Sequence, residues 1–219
     1  LKATKIGITH VNNDFGIGGK DVMLEAFEEN SLTPVGIESY GAEEKEYSPL
    51  LLSLKEKGAE VIIDWGHQAN EAILQIQVKQ LGLNIPLVMA PSSLSSTCID
   101  MAGEATDGNY AITDVLLDAK KDERTQQWIK EYVELYDRQP DGTHSNTAYD
   151  AVYLLKEAIE KSGSTDPEEI LKAIHNIRDF QGMTGVYSFD KGNGEGLSTV
   201  DVLQFKGTVP EFIETVSAE

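Results

Sequence analysis

Through its first hundred residues the chain alternates between two hydrophobic periodicities. Residues 5–10 (KIGITH) form a short β-branched run that ends in the Gly/Asn-rich stretch NNDFGIGG. Met23, Ala26 and Phe27 follow at helical spacing, so a helix with these three inward is predicted, stopping near Asn30. Pro34 opens a second strand, PVGIESY. Ser48-Pro49 predicts a helix start with Ser48 as cap and Pro49 in the first helical position. Leu50, Leu51 and Leu54 give that helix one apolar stripe, and Gly58 ends it. EVIIDW is the kind of continuous apolar run found in strands covered on both faces. A helix over Glu71–Leu81, with Ile73, Ile76 and Leu81 inward, stops at Gly82, and Pro86 introduces the strand PLVMA. Strand–helix alternation with short connections predicts an α/β fold: a doubly wound parallel sheet with right-handed crossovers.

Beyond about Asp114 the pattern changes. Trp128, Tyr132, Leu135 and Tyr136 share one helical face, and Ala148, Val152, Leu155 and Ile159 repeat that spacing. A third helix starts at Asp166-Pro167-Glu168-Glu169, a capping arrangement, and carries Ile170, Leu171, Ile174 and Ile177. Strand character returns only in STVDVLQF, after DKGNGEG, which lacks the acid spacing of a calcium loop and reads as a turn. Three amphipathic helices with no local sheet must bury their stripes somewhere. They form either a helix-only subdomain or the covering of a sheet that this stretch does not encode.

Composition narrows the partners. The 219 residues carry 37 Asp+Glu against 18 Lys+Arg, a formal charge of −19, which repels phosphate backbones and argues against nucleic acid as a partner. The length suits one domain or two small ones, and 40% hydrophobic with 25% charged residues argues against disorder. No apolar run approaches the roughly 18 residues of a membrane span. Cys98, the one cysteine, permits neither an internal disulfide nor a thiolate zinc site. The chain opens on Leu1 without a leader pattern, so a removed targeting segment or a start inside a longer protein is expected.

Three strand ends hold the candidate chemistry. FGIGGKD has Asp21 where a dinucleotide fingerprint needs glycine and a P-loop needs Ser or Thr, so its glycines read as a tight strand-to-helix turn. Asp14 and Phe15 lie at that turn, where open α/β sheets collect ligands. Trp65, Gly66 and His67 follow the buried run directly, and an aromatic beside hydrogen-bonding groups suits a small ligand. APSSLSST offers hydroxyls that either cap the next helix or bind a ligand. His10, His67, His144 and His175 make no metal spacing, and no GxSxG occurs. A non-catalytic binding protein without metal or cofactor is therefore the leading expectation. An α/β hydrolytic enzyme using Asp14, His67 and a serine from Ser92–Ser96 is the competing one.

Taken together, KIGITHVNNDFGIGG, AEEKEYSPLLLSLKEKGAEVIIDWG, KQLGLNIPLVM, TAYDAVYLLKEAI and TGVYSFDKGNG resemble the type I periplasmic solute-binding proteins, in particular the leucine/isoleucine/valine-binding branch that serves ABC transporters. The resemblance implies two lobes that close on a solute by hinge motion and present the closed form to a permease. It assigns residues 1–115 to lobe 2, 116–185 to the helical part of lobe 1, and 186–219 to a return into lobe 2. It leaves the opening part of lobe 1, with its strands, without a counterpart here. Phe15 takes the place of an aromatic that packs on the ligand side chain. Trp65, Gly66 and His67 match the loop flanking the cleft. Ser92 and Ser93, with a one-residue ambiguity, stand where amino-acid binders place a carboxylate for the ligand ammonium. The hydroxyls there count against an α-amino acid as solute. The implied partners are an amino acid or similar small polar solute and an ABC permease, in the periplasm or outside the cell, with a lipoprotein tether as one option. A sensor domain of a signalling receptor is the alternative within the same fold. With lobe 1 incomplete, solute affinity should be orders of magnitude weaker than an intact receptor's, or absent. The stripes of residues 125–177 should form a mobile subdomain or pair with a second copy.

Overall fold

The computed structural model describes residues 1–117, 122–140, 144–192 and 194–217. In chain order the elements are β1 (Ile6–Val11), α1 (Asp14–Glu29), β2 (Gly36–Tyr40), α2 (Ser48–Glu56), β3 (Val61–Trp65), α3 (Gln68–Gln80), β4 (Leu87–Met89), a 3-10 turn (Pro91–Leu94), α4 (Ser96–Ala102), a second 3-10 turn (Gly103–Thr106) and β5 (Tyr110–Thr113). Then come α5 (Glu123–Tyr136), α6 (Ser145–Ser162), α7 (Pro167–His175), β6 (Phe180–Gln181), β7 (Val186–Tyr187), β8 (Thr199–Lys206) and β9 (Val209–Ser217). Two compact units result: Leu1–Ile112 with Val202–Ile213, and Thr113–Asp201 with Glu214–Glu219.

The main sheet runs β2-β1-β3-β4-β5-β8-β9, and the pairs from β2 through β5 are parallel. This is the doubly wound α/β plan that the alternation predicts. The order reverses at β1, because the chain leaves β1 outward to β2 and returns across it to β3. Ligands in open α/β sheets bind beyond the carboxyl ends of the strands at such a switch point. Leu51 and Leu54 of α2 and Leu74 and Val78 of α3 pack on Ile62, Leu87 and Met89 of the strands. Burial of such side chains contributes about 1.5–3 kcal/mol each.

Four local expectations are corrected. Gly16, Gly18 and Gly19 lie inside α1 with no positive φ, so they do not make the turn. The chain turns earlier, at Asn12 and Asn13, and Gly16 and Gly19 instead allow close packing of α1 on the Val11 backbone and the Trp65 ring, while Gly18 has open space around it. Ala26 is exposed, and Phe27 is the buried apolar residue of α1. Ser48 makes no cap: Tyr47 holds that position without a side-chain bond, although Pro49 does sit in the first turn. Helix α3 starts at Gln68 and buries Asn70, Glu71, Gln75 and Gln77 more deeply than Ile73 or Ile76, because these polar groups reach into neighbouring loops and α4.

In the second unit, Asp122 accepts the Thr125 amide to cap α5, and Asp166 accepts those of Glu168 and Glu169 to cap α7. A small core joins Val115, Leu117, Trp128 and Met183. Asp150 of α6 accepts the Met183 and Thr184 amides at 2.6 and 2.8 Å and the Tyr187 hydroxyl at 3.1 Å, fixing the loop between β6 and β7. The hairpin lies within this unit, and Val202–Ile213 belong to the first. Gly192 and Gly194 have positive φ, as a turn requires; residue 193 of the DKGNGEG turn lies outside the described residues, as do 118–121 and 141–143 of the helical stretch. The predicted stripes are only partly covered: Trp128 is buried, whereas Leu135, Val152 and Leu171 are exposed at 72%, 65% and 55%.

Candidate functional site

Strands β1 and β3 deliver two loops side by side, with Thr9 paired to Asp64 and His10 to Trp65 in register. After β1 the chain turns through Asn13, whose Oδ1 accepts the Gly16 amide at 3.1 Å and caps α1. That bond fixes which side of the Asn13 amide carries hydrogen. Its Nδ2 therefore donates to His67 Nε2 at 3.0 Å, and neutral His67 carries its own hydrogen on Nδ1. Phe15, 43% exposed, stacks on the His67 ring with centroids 5.1 Å apart and stands 5.9 Å from the Trp65 ring. Trp65 in turn lies against Gly19, where a β-carbon would come within 2.3 Å of its ring. Asp14 opens α1 as an exposed carboxylate beside Phe15.

The third loop joins through Ser92. Its Oγ lies 2.8 Å from the Gly66 carbonyl oxygen and 2.6 Å from Glu71 Oε2. Ser93 is fully buried and donates to the Ala90 carbonyl at 2.8 Å, closing the 3-10 turn. Of the two hydroxyls left open by the sequence, Ser92 is the one tied to the Trp65–His67 loop. Ser95 caps α4 through the Cys98 amide.

The sequence reading missed the layer beneath. Asp64 is completely buried and accepts the Thr9 hydroxyl at 2.6 Å and the Tyr40 hydroxyl at 2.9 and 3.0 Å. Glu71, equally buried, accepts the Ala90 amide at 3.0 Å. Burial pushes Asp64 up to about 7 against the pull of its hydroxyl donors. Burial, and next the Asp64 charge, hold Glu71 well above the usual carboxylate range. The available signal was an acid inside the apolar run EVIIDW, since a charge in a doubly covered strand must find partners.

The hydrolytic alternative needs His67 to take a proton from a serine. Instead, its Nε2 is occupied by Asn13, and Ser92 Oγ is bound to Glu71 and Gly66. A separate hollow of about 320 Å³, lined by Leu83, Asn84, Pro86 and Asn109, lies where strands β4 and β5 begin, at the edge opposite these loops.

Strand order and crossovers define an α/β protein of the doubly wound type. A profile of the periplasmic binding protein family matches residues 1–209, and the chain belongs to that family. It is 26% identical over 191 residues to the leucine-, isoleucine-, valine-, threonine-, and alanine-binding protein of Pseudomonas aeruginosa, covering 87% of this chain and 50% of that protein. It is 24% identical over 208 residues to Leu/Ile/Val-binding protein homolog 3 of Brucella melitensis, covering 94% of this chain and 55% of that one. The chain thus spans about half the length of these relatives. Among solved structures, the leucine binding protein LivK of Thermotoga maritima superposes with a TM-score of 0.86 at 22% identity, over 98% of this chain and 61% of that one. LivJ of Streptococcus pneumoniae, in complex with isoleucine, gives 0.81 at 22%, over 98% and 60%. The type I periplasmic binding protein fold expected from the sequence is the fold observed.

Proposed function

We propose that this chain supplies one wall of an extracytoplasmic solute-binding receptor of an ABC importer, and that its solute is an amino acid or similar small polar molecule. The aromatic cluster of Phe15, Trp65 and His67 at the sheet's switch point carries this reading. Phe15 and Trp65 offer apolar faces to an aliphatic side chain, and His67 Nδ1–H is a donor for a carboxylate. Ser92 has its single hydrogen engaged within the wall, so toward a solute it accepts. That polarity suits an ammonium and answers the missing carboxylate: a hydroxyl oxygen backed by Glu71 stands in its place. The relatives' names, which specify leucine, isoleucine and valine, support the same solute class. In the whole receptor, hinge closure would bury the solute and present the closed form to a permease.

Calorimetric titration with a panel of amino acids tests the reading. Of the two outcomes open to an incomplete cleft, weak binding or none, the Phe15–Trp65–His67 cluster favours the first: branched-chain amino acids are expected to bind this chain in the millimolar range, worth about 4 kcal/mol. Trp65→Ala should weaken that binding at least about tenfold, a loss of ~1.4 kcal/mol. No heat from any amino acid, or equal affinity in Trp65→Ala, would count against it.

The exposed stripe of α5, α6 and α7 supports a second element of the proposal, association through these helices. Contiguous apolar patches of several hundred Å² rarely persist on monomers. Light scattering over a concentration series is expected to show a concentration-dependent dimer that Leu135→Glu with Val152→Glu abolishes. A mass that stays monomeric at every concentration would refute this.

A further inference from the structure

Beneath the solute-facing loops lie two buried carboxyls, neither of which contacts solute in the binding scheme; Glu71 enters it only through Ser92. Gly66 sits over both: a β-carbon there would fall 2.8 Å from Asp64 Oδ2 and 3.4 Å from Glu71 Cγ. Asp64 faces the Thr9 hydroxyl of β1 and the Tyr40 hydroxyl of β2, with Tyr47 nearby. Glu71 faces Ser92, the backbone of Ala90 and Gly66, the phenol of Tyr40 and the Cys98 thiol of α4. Among the described residues, no lysine, arginine or histidine forms an ion pair with either carboxyl. Two adjacent carboxylates without a countercharge do not both ionise when fully buried.

Counting hydrogens decides which of them keeps the proton. Asp64 receives two hydroxyl hydrogens, from Thr9 and Tyr40, as an ionised acceptor requires. Around Ser92 the count is one short. Glu71 Oε2, Ser92 Oγ and the Gly66 carbonyl oxygen make two contacts, of 2.6 and 2.8 Å, and the serine supplies one hydrogen. With Glu71 ionised, one contact would set lone pair against lone pair. A proton on Oε2 satisfies both: Glu71 donates to Ser92, and Ser92 donates to the Gly66 carbonyl. Oε1 remains free to accept the Ala90 amide; the Gly66 amide also donates to this carboxyl, and these amides pull toward ionisation without supplying the hydrogen missing between Ser92 and its two partners.

We propose that Glu71 is a positioning residue, kept as the neutral acid, whose Oε2 proton runs through Ser92 to the Gly66 carbonyl and ties the loops after β3 and β4 into one wall. Glu71 touches no solute. It sets where Gly66, His67 and Ser92 stand. The proposal rests on reading those loops as a solute wall, yet the proton and the tie exist without solute and are measurable without it. The direction of the Glu71 shift agrees: burial and the neighbouring Asp64 charge favour its protonated form.

The sign of the pH dependence follows. A carboxyl raised in the fold keeps a proton that the unfolded chain releases above about 4.5. Its stabilisation is complete below that value and is lost as pH rises through the folded value. Glu71→Gln keeps an oxygen for Ala90 and an N–H for Ser92, and does not titrate. In thermal melts of the 219-residue chain from about pH 5 to about pH 9, wild type is expected to lose stability relative to Glu71→Gln, which becomes the more stable at the upper end. Ser92→Ala should speed amide exchange at Gly66 and Ala90 without abolishing folding. In wild type, the Glu71 carboxyl 13C resonance, assigned by its loss in Glu71→Gln, should sit at the protonated position at neutral pH. An ionised resonance at neutral pH, or a Glu71→Gln chain less stable than wild type at every pH, would overturn the proposal. A protonated Glu71 in a chain that binds no solute would leave this inference standing and remove the receptor reading instead.

Discussion

Gly16→Ala is expected to lower the melting temperature by about 6–12 °C, the consequence of a loss of about 3 kcal/mol at the upper end of overpacking costs. An added β-carbon at Gly16 would lie 1.9 Å from the Val11 carbonyl oxygen and 2.8 Å from its carbonyl carbon. Those atoms belong to the last residue of β1, a strand held between β2 and β3, and no side-chain rotation removes them. Helix α1 must therefore move off the strand, and Phe15 moves with it. Two neighbours in the same helix serve as controls. At Gly18 a β-carbon meets nothing within 4 Å, so Gly18→Ala should be neutral or stabilise by up to about 1 kcal/mol through helix propensity. At Gly19 the new methyl would displace the Trp65 ring, so Gly19→Ala should alter tryptophan fluorescence and solute affinity more than stability. Thermal melts of the three variants separate these outcomes. Equal effects at Gly16 and Gly18 would contradict the packing account.

Tyr40→Phe is the second large effect. The phenol donates to both Asp64 oxygens and is itself pushed far up by burial and by that carboxylate. Phenylalanine fills the same space, so the loss isolates one donor to a buried, charged acceptor, about 2 kcal/mol or about 4–8 °C. The pH dependence has a definite sign. Asp64, pushed up to about 7, is neutral at low pH, where it needs fewer donors. The deficit of Tyr40→Phe should therefore be small near pH 4 and grow as pH rises through about 7. Calorimetric melts of wild type and variant across that range measure it. A deficit independent of pH would mean that Asp64 does not change charge there.

Much of the first unit was legible because its signals are local. Pro86 and Gly82 punctuate helix and strand, the Leu50–Leu54 stripe fixes the face of α2, and EVIIDW announces a doubly covered strand. The loops bearing Phe15, Trp65 and Ser92 could be placed on one sheet edge because a parallel sheet delivers all its strand ends to the same side. What escaped depends on contacts distant in sequence. FGIGG looks like a turn by composition, yet Gly16 and Gly19 are glycine because the Val11 backbone and the Trp65 ring stand against them. Glu71 reads as one of many solvated acids, since nothing near it in sequence reveals that Ala90 and Ser92 will meet it. Strand β9 mixes apolar and polar residues without regular alternation and leaves Val209, Phe212, Ile213 and Val216 exposed, so no pattern marks it. The helical stretch was read correctly as helices, and its exposed Leu135 and Val152 show why no local partner for their stripe could be found.

The claim on which the rest depends is that the loops after β1, β3 and β4 together face a solute. The most direct measurement is an amide NMR titration of the 219-residue chain with leucine, isoleucine or valine at millimolar concentration. Saturable shifts confined to the neighbourhood of Phe15, Trp65–His67 and Ser92, and absent in Phe15→Ala, are predicted. Shifts centred on the hollow at Asn84 and Asn109, or none at any of the three loops, would contradict the account.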